Sequence, residues 1–255
     1  MGAFERVQAA RANGRNTSVD FIVAIFDGFL EMHGDRRFSD DGAIISGIAY
    51  LDGLPVTVIG IEKGHSIKEK SQRNFGAAHP EGYRKALRQM TLAEKFGRPV
   101  VCFVDTSGAY CGLGAEERGQ GQAIAENLME MMTLKTPIVS VLIGEGGSGG
   151  ALALAVADEV WMLENSVYSV ISPEGCASIL WKDSARVREA SECLKITADD
   201  LYSLGVIDRI IPENDELMEN LKSQLAKTIS KNSALPVSEL CDRRYMRFRK
   251  IGVFE

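Results

Sequence analysis

Five glycines occupy the seven positions 144–150, separated only by Glu145 and Ser148, and no stretch of the chain is better suited to chemistry. The β-branched and aliphatic run 138–143 precedes them, after Pro137, and an Ala/Leu run of high helix propensity follows to residue 157. The pattern predicts a buried strand, a glycine turn and a helix N-terminus. Such a junction handles negative charge. The first N–H groups of a helix lack intrahelical partners, and the helix dipole adds positive potential there. Glycines let backbone approach a ligand because no Cβ intervenes.

Three chemistries compete for this turn. Gly144, Gly146 and Gly149 satisfy G-x-G-x-x-G between a strand and a helix, and Glu164 lies 20 residues on, where a ribose-binding acid would sit. Against a dinucleotide site, a run this rich in glycine matches by chance, and it lies mid-chain. Residues 146–150 also fit G-x-S-x-G, a nucleophile elbow around Ser148. That arrangement needs a histidine downstream, and the last of the three histidines is His79, so a serine hydrolase is rejected. No G-x-x-x-x-G-K-[ST] occurs, which excludes a P-loop. The third reading is an oxyanion hole of backbone N–H groups for acyl or enolate chemistry. It requires no nucleophilic side chain, and each good donor is worth roughly 3 kcal/mol.

The elements that must position this turn read as α/β. Residues 1–17 are polar and Arg-dotted and read as a frayed helix or arm. Ser18 caps a predicted helix with apolar residues from Phe21 to Leu30 at three-to-four spacing, ended by Gly34. Runs 44–51 and 55–61 around Asp52-Gly53 predict a hairpin. A basic loop spans 62–80, with Lys68, Lys70 and Arg73 as candidate ligand contacts. A helix over 81–96 leads to a strand over 100–104. That strand enters a second glycine-rich junction, residues 105–114, and a long helix over 115–134. Short strands at 160–163 and 167–171, a helix capped by Ser172, helices over 182–194 and 197–204, a strand over 206–211 and a charged helical tail complete the chain. The two strand–glycine–helix units fit a superhelix of ββα-like turns. No linker is evident, so an arm at 1–17 and one domain at 18–255 are expected.

Composition narrows the class. The chain has 255 residues, 25% charged and 45% hydrophobic, with net charge −6, which speaks against wholesale nucleic-acid binding. No apolar run approaches the ~18 residues of a membrane span, and the N-terminus lacks a signal-peptide core, so a cytoplasmic protein is expected. Five cysteines without metal-ligand spacing read as reduced thiols, and no metal is expected in this chain.

Arg73-Asn-Phe-Gly76, Pro80-Glu-Gly-Tyr-Arg-Lys-Ala86, Gly114-Ala-Glu-Glu-Arg-Gly-Gln120, Gly144-Glu-Gly-Gly-Ser-Gly-Gly-Ala151 and Ile171-Ser-Pro-Glu-Gly-Cys-Ala-Ser-Ile-Leu-Trp-Lys182 resemble the α subunits of bacterial acetyl-CoA carboxylase carboxyltransferases. The likeness runs from about residue 18 to residues 243–248. It implies the crotonase (ClpP-like) superfold and transfer of a carboxyl group from carboxybiotin, on a separate biotin carboxyl carrier protein, to acetyl-CoA. The product would be malonyl-CoA for fatty-acid synthesis. It also implies a β-subunit partner carrying zinc, in a complex of two α and two β chains. By the resemblance, the N–H groups of Gly149 and Gly150 are the catalytic donors, and Gly146, Gly147, Gly108 and Ala109 line the carboxybiotin cleft. Ser107 and Cys111 stand where the family usually has prolines, which implies a looser turn. The N-terminus lacks a helical extension that some members carry, which implies fewer interface contacts. Another biotin-dependent acyl-CoA carboxylase or decarboxylase chain is the nearest alternative. A dinucleotide-binding oxidoreductase and a catalytically silent scaffold are more distant ones.

Overall fold

A computed structural model of the chain describes residues 1–252. Twelve α-helices are described: α1 (Ala3–Ala10), α2 (Ser18–Ile25), α3 (Ile67–Gln72), α4 (Pro80–Lys95), α5 (Leu113–Glu117), α6 (Gln120–Thr133), α7 (Ser148–Leu152), α8 (Pro173–Trp181), α9 (Val187–Leu194), α10 (Ala198–Ser203), α11 (Leu217–Ser233) and α12 (Val237–Lys250). Eight strands accompany them: β1 (Asp27–Glu31), β2 (Ile44–Leu51), β3 (Leu54–Ile61), β4 (Val100–Thr106), β5 (Ile138–Gly147), β6 (Glu159–Leu163), β7 (Val167–Ser169) and β8 (Arg209–Ile211). They form one sheet in the order β1-β2-β3-β4-β5-β6-β8, with β7 pairing β5 off that path.

β1 to β3 are antiparallel and β3 onward is parallel. Alternation along the buried strands sends side chains to two apolar layers. Val100, Cys102 and Val104 of β4 join a cluster with α4 and α6 residues, while Val101 and Phe103 join one with α2 and α11 residues. Helices therefore cover both faces, as near-continuously apolar parallel strands require. β5 is shared between two neighbours. Residues 139–142 pair with β6, and the glycine end, residues 145–147, pairs with β7. The glycine turn is thus held by a short strand of its own.

The predicted hairpin is present. Asp52 and Gly53 both take positive φ, 49° and 81°, in the turn between β2 and β3. Several boundaries differ from the sequence reading. The helix begun at Ser18 stops at Ile25, because Phe26 is extended and Gly28 has φ +61°, and residues 27–31 pair with β2 instead. Thr17, not Ser18, is the N-cap, and the Ser18 hydroxyl donates to the Ile61 carbonyl. The basic loop contains α3, started by a Ser66–Glu69 capping box. The long helix over 115–134 is two, split where Gly119 adopts φ +81°. The helix after the glycine turn spans only α7, the 182–194 segment begins as a 3₁₀ turn, and β8 is shorter than its predicted run.

Residues 1–17 carry a defined helix. Ala3, Val7 and Ala10 of α1 are buried, and Val7 and Ala10 pack with Val167 and Ile196. The tail is helical through α12, whose buried Arg244 bonds Asp158 and the carbonyls of Met131, Leu134 and Thr136. Residues 253–255 of the expected domain lie outside the described residues. Among the described residues no helix is long and apolar enough to cross a membrane.

Candidate functional site

β4 and β5 are adjacent and parallel, in register from Val100↔Ile138 to Val104↔Leu142. Their C-terminal ends therefore open at the same edge of the sheet, where α/β proteins bind ligands. The two glycine-rich junctions meet there. A Cβ placed on Gly150 would lie 2.5 Å from the Ala109 nitrogen, 2.8 Å from the Gly108 carbonyl carbon and 2.9 Å from the Tyr83 hydroxyl. A Cβ on Gly147 would collide with the Ser107 carbonyl, and one on Gly146 with Leu142 and Tyr168. Three of the glycines are thus packing requirements. Gly149 differs, since its Cβ would meet only Ile124, at 3.5 Å.

Ser148, between them, has φ +54° and is exposed. It makes the sharp strand-to-helix elbow that the glycine pattern suggested. None of the histidines serves it. His33 bonds Asp40 at 3.0 Å, His65 pairs with Asp20 at 2.9 Å, and His79 stacks on Tyr110 with ring centroids 4.0 Å apart. Glu164, the candidate ribose acid, pairs with Arg6 of α1 at 3.6 Å.

The second junction is held by side chains where prolines are absent. Thr106 Oγ1 accepts from the Gly108 N–H at 3.0 Å and donates to the Gly108 carbonyl at 2.8 Å. The Tyr110 N–H donates to the Ala78 carbonyl at 3.0 Å, and Gln120 Nε2 donates to the carbonyls of Ala78 and Tyr110. Gly108, at φ +152°, sits where an L side chain is strained. Cys111 is exposed.

Charges beneath the turn are paired. Lys63 Nζ lies 2.6 Å from Asp105 Oδ1, and the same carboxylate accepts from the Glu145 N–H at 2.8 Å. Glu145, 8% exposed, bonds Arg11 at 2.6 Å, and Arg11 also reaches Glu174 at 2.7 Å. The turn thus offers backbone dipoles above ions already neutralised from below. Among the described residues no group of three or more His, Cys, Asp or Glu is placed to hold a metal.

A cavity of about 340 Å³ adjoins the elbow. Ser148 and Gly149 form one wall, and Leu152, Tyr168, Leu201 and Val206 supply apolar surface. Gly149 therefore faces a cavity, while Gly150 lies buried against Gly108 and Ala109. Of the basic loop, Lys70 bonds Asn13 and Arg73 bonds the Gly42 carbonyl. No sequence signal assigns Tyr83 to the site. It is wholly buried beside Gly150, its hydroxyl has no partner, and burial together with Asp41 raises it above its ordinary range. Nor did any local signal flag Arg11, 134 residues from its partner Glu145.

Comparison with known proteins places the fold and the family. The fold is that of the crotonase-type carboxyltransferases. It superposes on transcarboxylase 12S with TM-score 0.74 at 18% identity, over 92% of this chain and 45% of the other. A Pseudomonas malonate decarboxylase hetero-tetramer in complex with coenzyme A gives TM-score 0.67 at 17% identity, covering 84% and 91%. The chain thus spans less than half the length of the transcarboxylase chain. Residues 1–252 match the family described as acetyl co-enzyme A carboxylase carboxyltransferase-like, and the chain belongs to that family. It is 64% identical to the acetyl-coenzyme A carboxylase carboxyl transferase subunit alpha of Ruminiclostridium cellulolyticum, over 99% of both chains. It is 62% identical to the subunit alpha of Streptococcus equi subsp. equi, over 96% of this chain and 97% of that one. Carboxyl transfer is therefore the chemistry of this family, and the dinucleotide reading falls.

Proposed function

We propose that this chain is the biotin-receiving half of an acetyl-CoA carboxylase carboxyltransferase, working with a separate β chain. The observation that carries the reading is the family match across residues 1–252, with 64% identity over whole chains. Biotin, held on a carrier protein, would supply the carboxyl group: the N–C bond to the ureido nitrogen breaks, the new C–C bond forms at the methyl carbon of acetyl-CoA, and the methyl proton passes to the vacated ureido nitrogen. Malonyl-CoA is the product.

The residues present fit such a group. A largely apolar cavity of about 340 Å³ beside a helix N-terminus suits a bicyclic ring with a polar ureido edge. Gly149 borders that cavity at the start of a helix, and its N–H, with that of Gly150, would donate to the ureido oxygen as negative charge builds on it. Gly146 and Gly147 set the elbow. Gly108 and Ala109 fix Gly150 from the opposite junction. Tyr168, raised by burial, stays a neutral phenol at the cavity wall. No side-chain base is needed here, which fits a turn whose nearby carboxylates are already paired. Zinc belongs to the β chain in this proposal, the assembly is two α and two β chains, and the site of action is the cytoplasm.

Co-expression with a zinc-ribbon β chain, followed by malonyl-CoA-dependent carboxylation of free biotin, tests the proposal. Activity is expected only in the mixed complex. A complex that assembles but carboxylates no biotin with malonyl-CoA, while turning over another acyl-CoA, would overturn the substrate assignment.

A further inference from the structure

Far from the glycine turn in sequence, four arginines surround a cavity of about 290 Å³ between the loop 33–40 and α4. They are Arg36, Arg37, Arg84 and Arg88, and only Asp35 and Glu126 line it with negative charge. Asp35 is already committed. One of its oxygens accepts from the N–H groups of Arg37, Phe38 and Ser39 at 2.8–3.0 Å, and the other bonds Arg84 at 2.8 Å. Glu126 sits 3.6 Å from Arg37.

Arg36 and Arg88 have no such partner. Among the described residues no carboxylate lies within 4.0 Å of either. Both donate to the same oxygen, the His33 carbonyl, at 2.8 and 3.0 Å, and Arg88 also reaches the Gly34 carbonyl at 3.0 Å. Arg88 also bonds the side-chain oxygen of buried Gln89, at 2.9 Å, so two like charges stand side by side on neutral acceptors only, sharing the His33 carbonyl between them. Burial and the neighbouring Arg36 both weaken the hold of Arg88 on its proton. The backbone also strains to make this arrangement, because Arg36 takes φ +64°, a conformation uncommon for a side chain of its size. The loop is preorganised. Asp40 accepts from the Gly34 N–H at 2.9 Å and from Lys85 at 2.6 Å, fixing both flanks.

We infer that this cavity is a phosphate-binding site, in which Arg36 and Arg88, with Arg37 at the rim, grip the terminal oxygens of a phosphate group. Guanidinium forks suit phosphate geometry, and three of them match three terminal oxygens better than they match the two of a carboxylate. The phosphate comes either from the 3′-phosphate of a coenzyme A nucleotide or from free inorganic phosphate. The coenzyme A source rests on the function proposed above, whereas the site itself does not.

Calorimetric titration of the full chain with inorganic phosphate, coenzyme A and dephospho-coenzyme A, at constant ionic strength, tests the inference. The variant Arg36→Gly removes one guanidinium and relieves the left-handed strain, so its melting temperature without ligand should equal or exceed that of the wild type. Saturable phosphate binding is expected in the wild type, weakened roughly tenfold or more in Arg36→Gly and again in Arg88→Lys, since charged hydrogen bonds of this kind each carry about that factor. Coenzyme A binding at least tenfold tighter than dephospho-coenzyme A, with the ratio lost in Arg36→Gly, assigns the nucleotide as the source. Phosphate binding without that ratio assigns free phosphate and counts against the nucleotide alone. No saturable phosphate binding, or equal binding in the wild type and both variants, overturns the site.

Discussion

Replacing Gly150 and Gly149 separately by alanine should have opposite consequences, although the two residues are adjacent and both keep their N–H groups. At Gly150 the new methyl would stand 2.5 Å from the Ala109 nitrogen, 2.8 Å from the Gly108 carbonyl carbon and 2.9 Å from the Tyr83 hydroxyl. Two of those atoms belong to a backbone junction tied down by Thr106 and Gln120, so they cannot swing aside as a flexible side chain would. Overpacking of this kind costs about 1–3 kcal/mol, or roughly 2–12 °C of melting temperature for a chain this size. The clash also pushes the two junctions apart and displaces the N–H groups. A misplaced oxyanion donor costs about 10²- to 10³-fold in turnover. At Gly149 the methyl meets only Ile124 Cγ2, at 3.5 Å, an ordinary contact, and Ala gains up to ~1 kcal/mol of helix propensity. The assays are calorimetric melting of each variant and biotin carboxylation by the complex assembled with a β chain. Gly150→Ala should melt lower and lose at least a hundredfold in turnover, while Gly149→Ala should melt at or above the wild type. A Gly150→Ala protein within 1 °C and twofold of wild type would refute both the packing and the donor assignment.

Tyr83→Phe deletes a buried hydroxyl that has no partner and should raise the melting temperature, since such a group costs about 1–3 kcal/mol, and a fall would reveal a partner acquired in the working state. Arg244→Ala leaves the buried Asp158 carboxylate without its counter-ion, held by the Ile138 N–H alone, strips three carbonyls of the guanidinium, and should cost about 3–5 kcal/mol by denaturant titration. Gly108→Ala meets no atom within 4 Å, so its cost should be confined to backbone strain at φ +152°, about 1–3 kcal/mol, with the junction otherwise intact by hydrogen exchange. Partial burial works to raise the Asp40 carboxyl, but Lys85 and the Gly34 N–H outweigh it and hold it well below the usual carboxylate range. A group lowered on folding stabilises fully above its unfolded value, near 3.9, and loses that contribution as pH falls through the folded one. The melting-temperature gap between wild type and Asp40→Asn should therefore be constant from pH 7 to 5 and close steadily below pH 4.

Much of the fold is legible in local chemistry. The Asp52-Gly53 turn, the apolar runs of β3, β4 and β5, and the Ser172-Pro173 start of α8 each carry their signal within a few residues. The failures have equally local causes. Phe21 to Leu30 keep a helical spacing, yet Gly28 at φ +61° ends the helix early and frees residues 27–31 for the sheet edge. Ser66 and Glu69 already spelled a capping box, and α3 was there to be found. What no spacing could reveal is long-range: Arg11 against Glu145, Lys63 against Asp105, and the wall that α9 and α10 lend to the cavity beside Gly149.

Those long-range contacts explain why the glycine run is so dense. A strand end carrying a helix N-terminus needs only one or two glycines to turn. Here the turn is crowded from several sides at once. Asp105 lies where a Gly144 side chain would go, Leu142 and Tyr168 block Gly146, the Ser107 carbonyl blocks Gly147, and the 108–109 backbone blocks Gly150. Four of the five glycines therefore answer neighbours, not φ, and none of the five has positive φ, since Ser148 takes the left-handed position instead. Gly149 is the one with room around it, and it is also the one that borders the cavity. With ligand entering by the cavity, the packing at the other four holds the elbow against the second junction and so fixes the proposed donors, the N–H groups of Gly149 and Gly150, in place. Activity should then tolerate side chains at Gly149 only up to the size the cavity leaves free. Serine and valine there should raise the KM for biotin stepwise with little change in melting temperature, and a KM indifferent to side-chain size would place the ligand elsewhere.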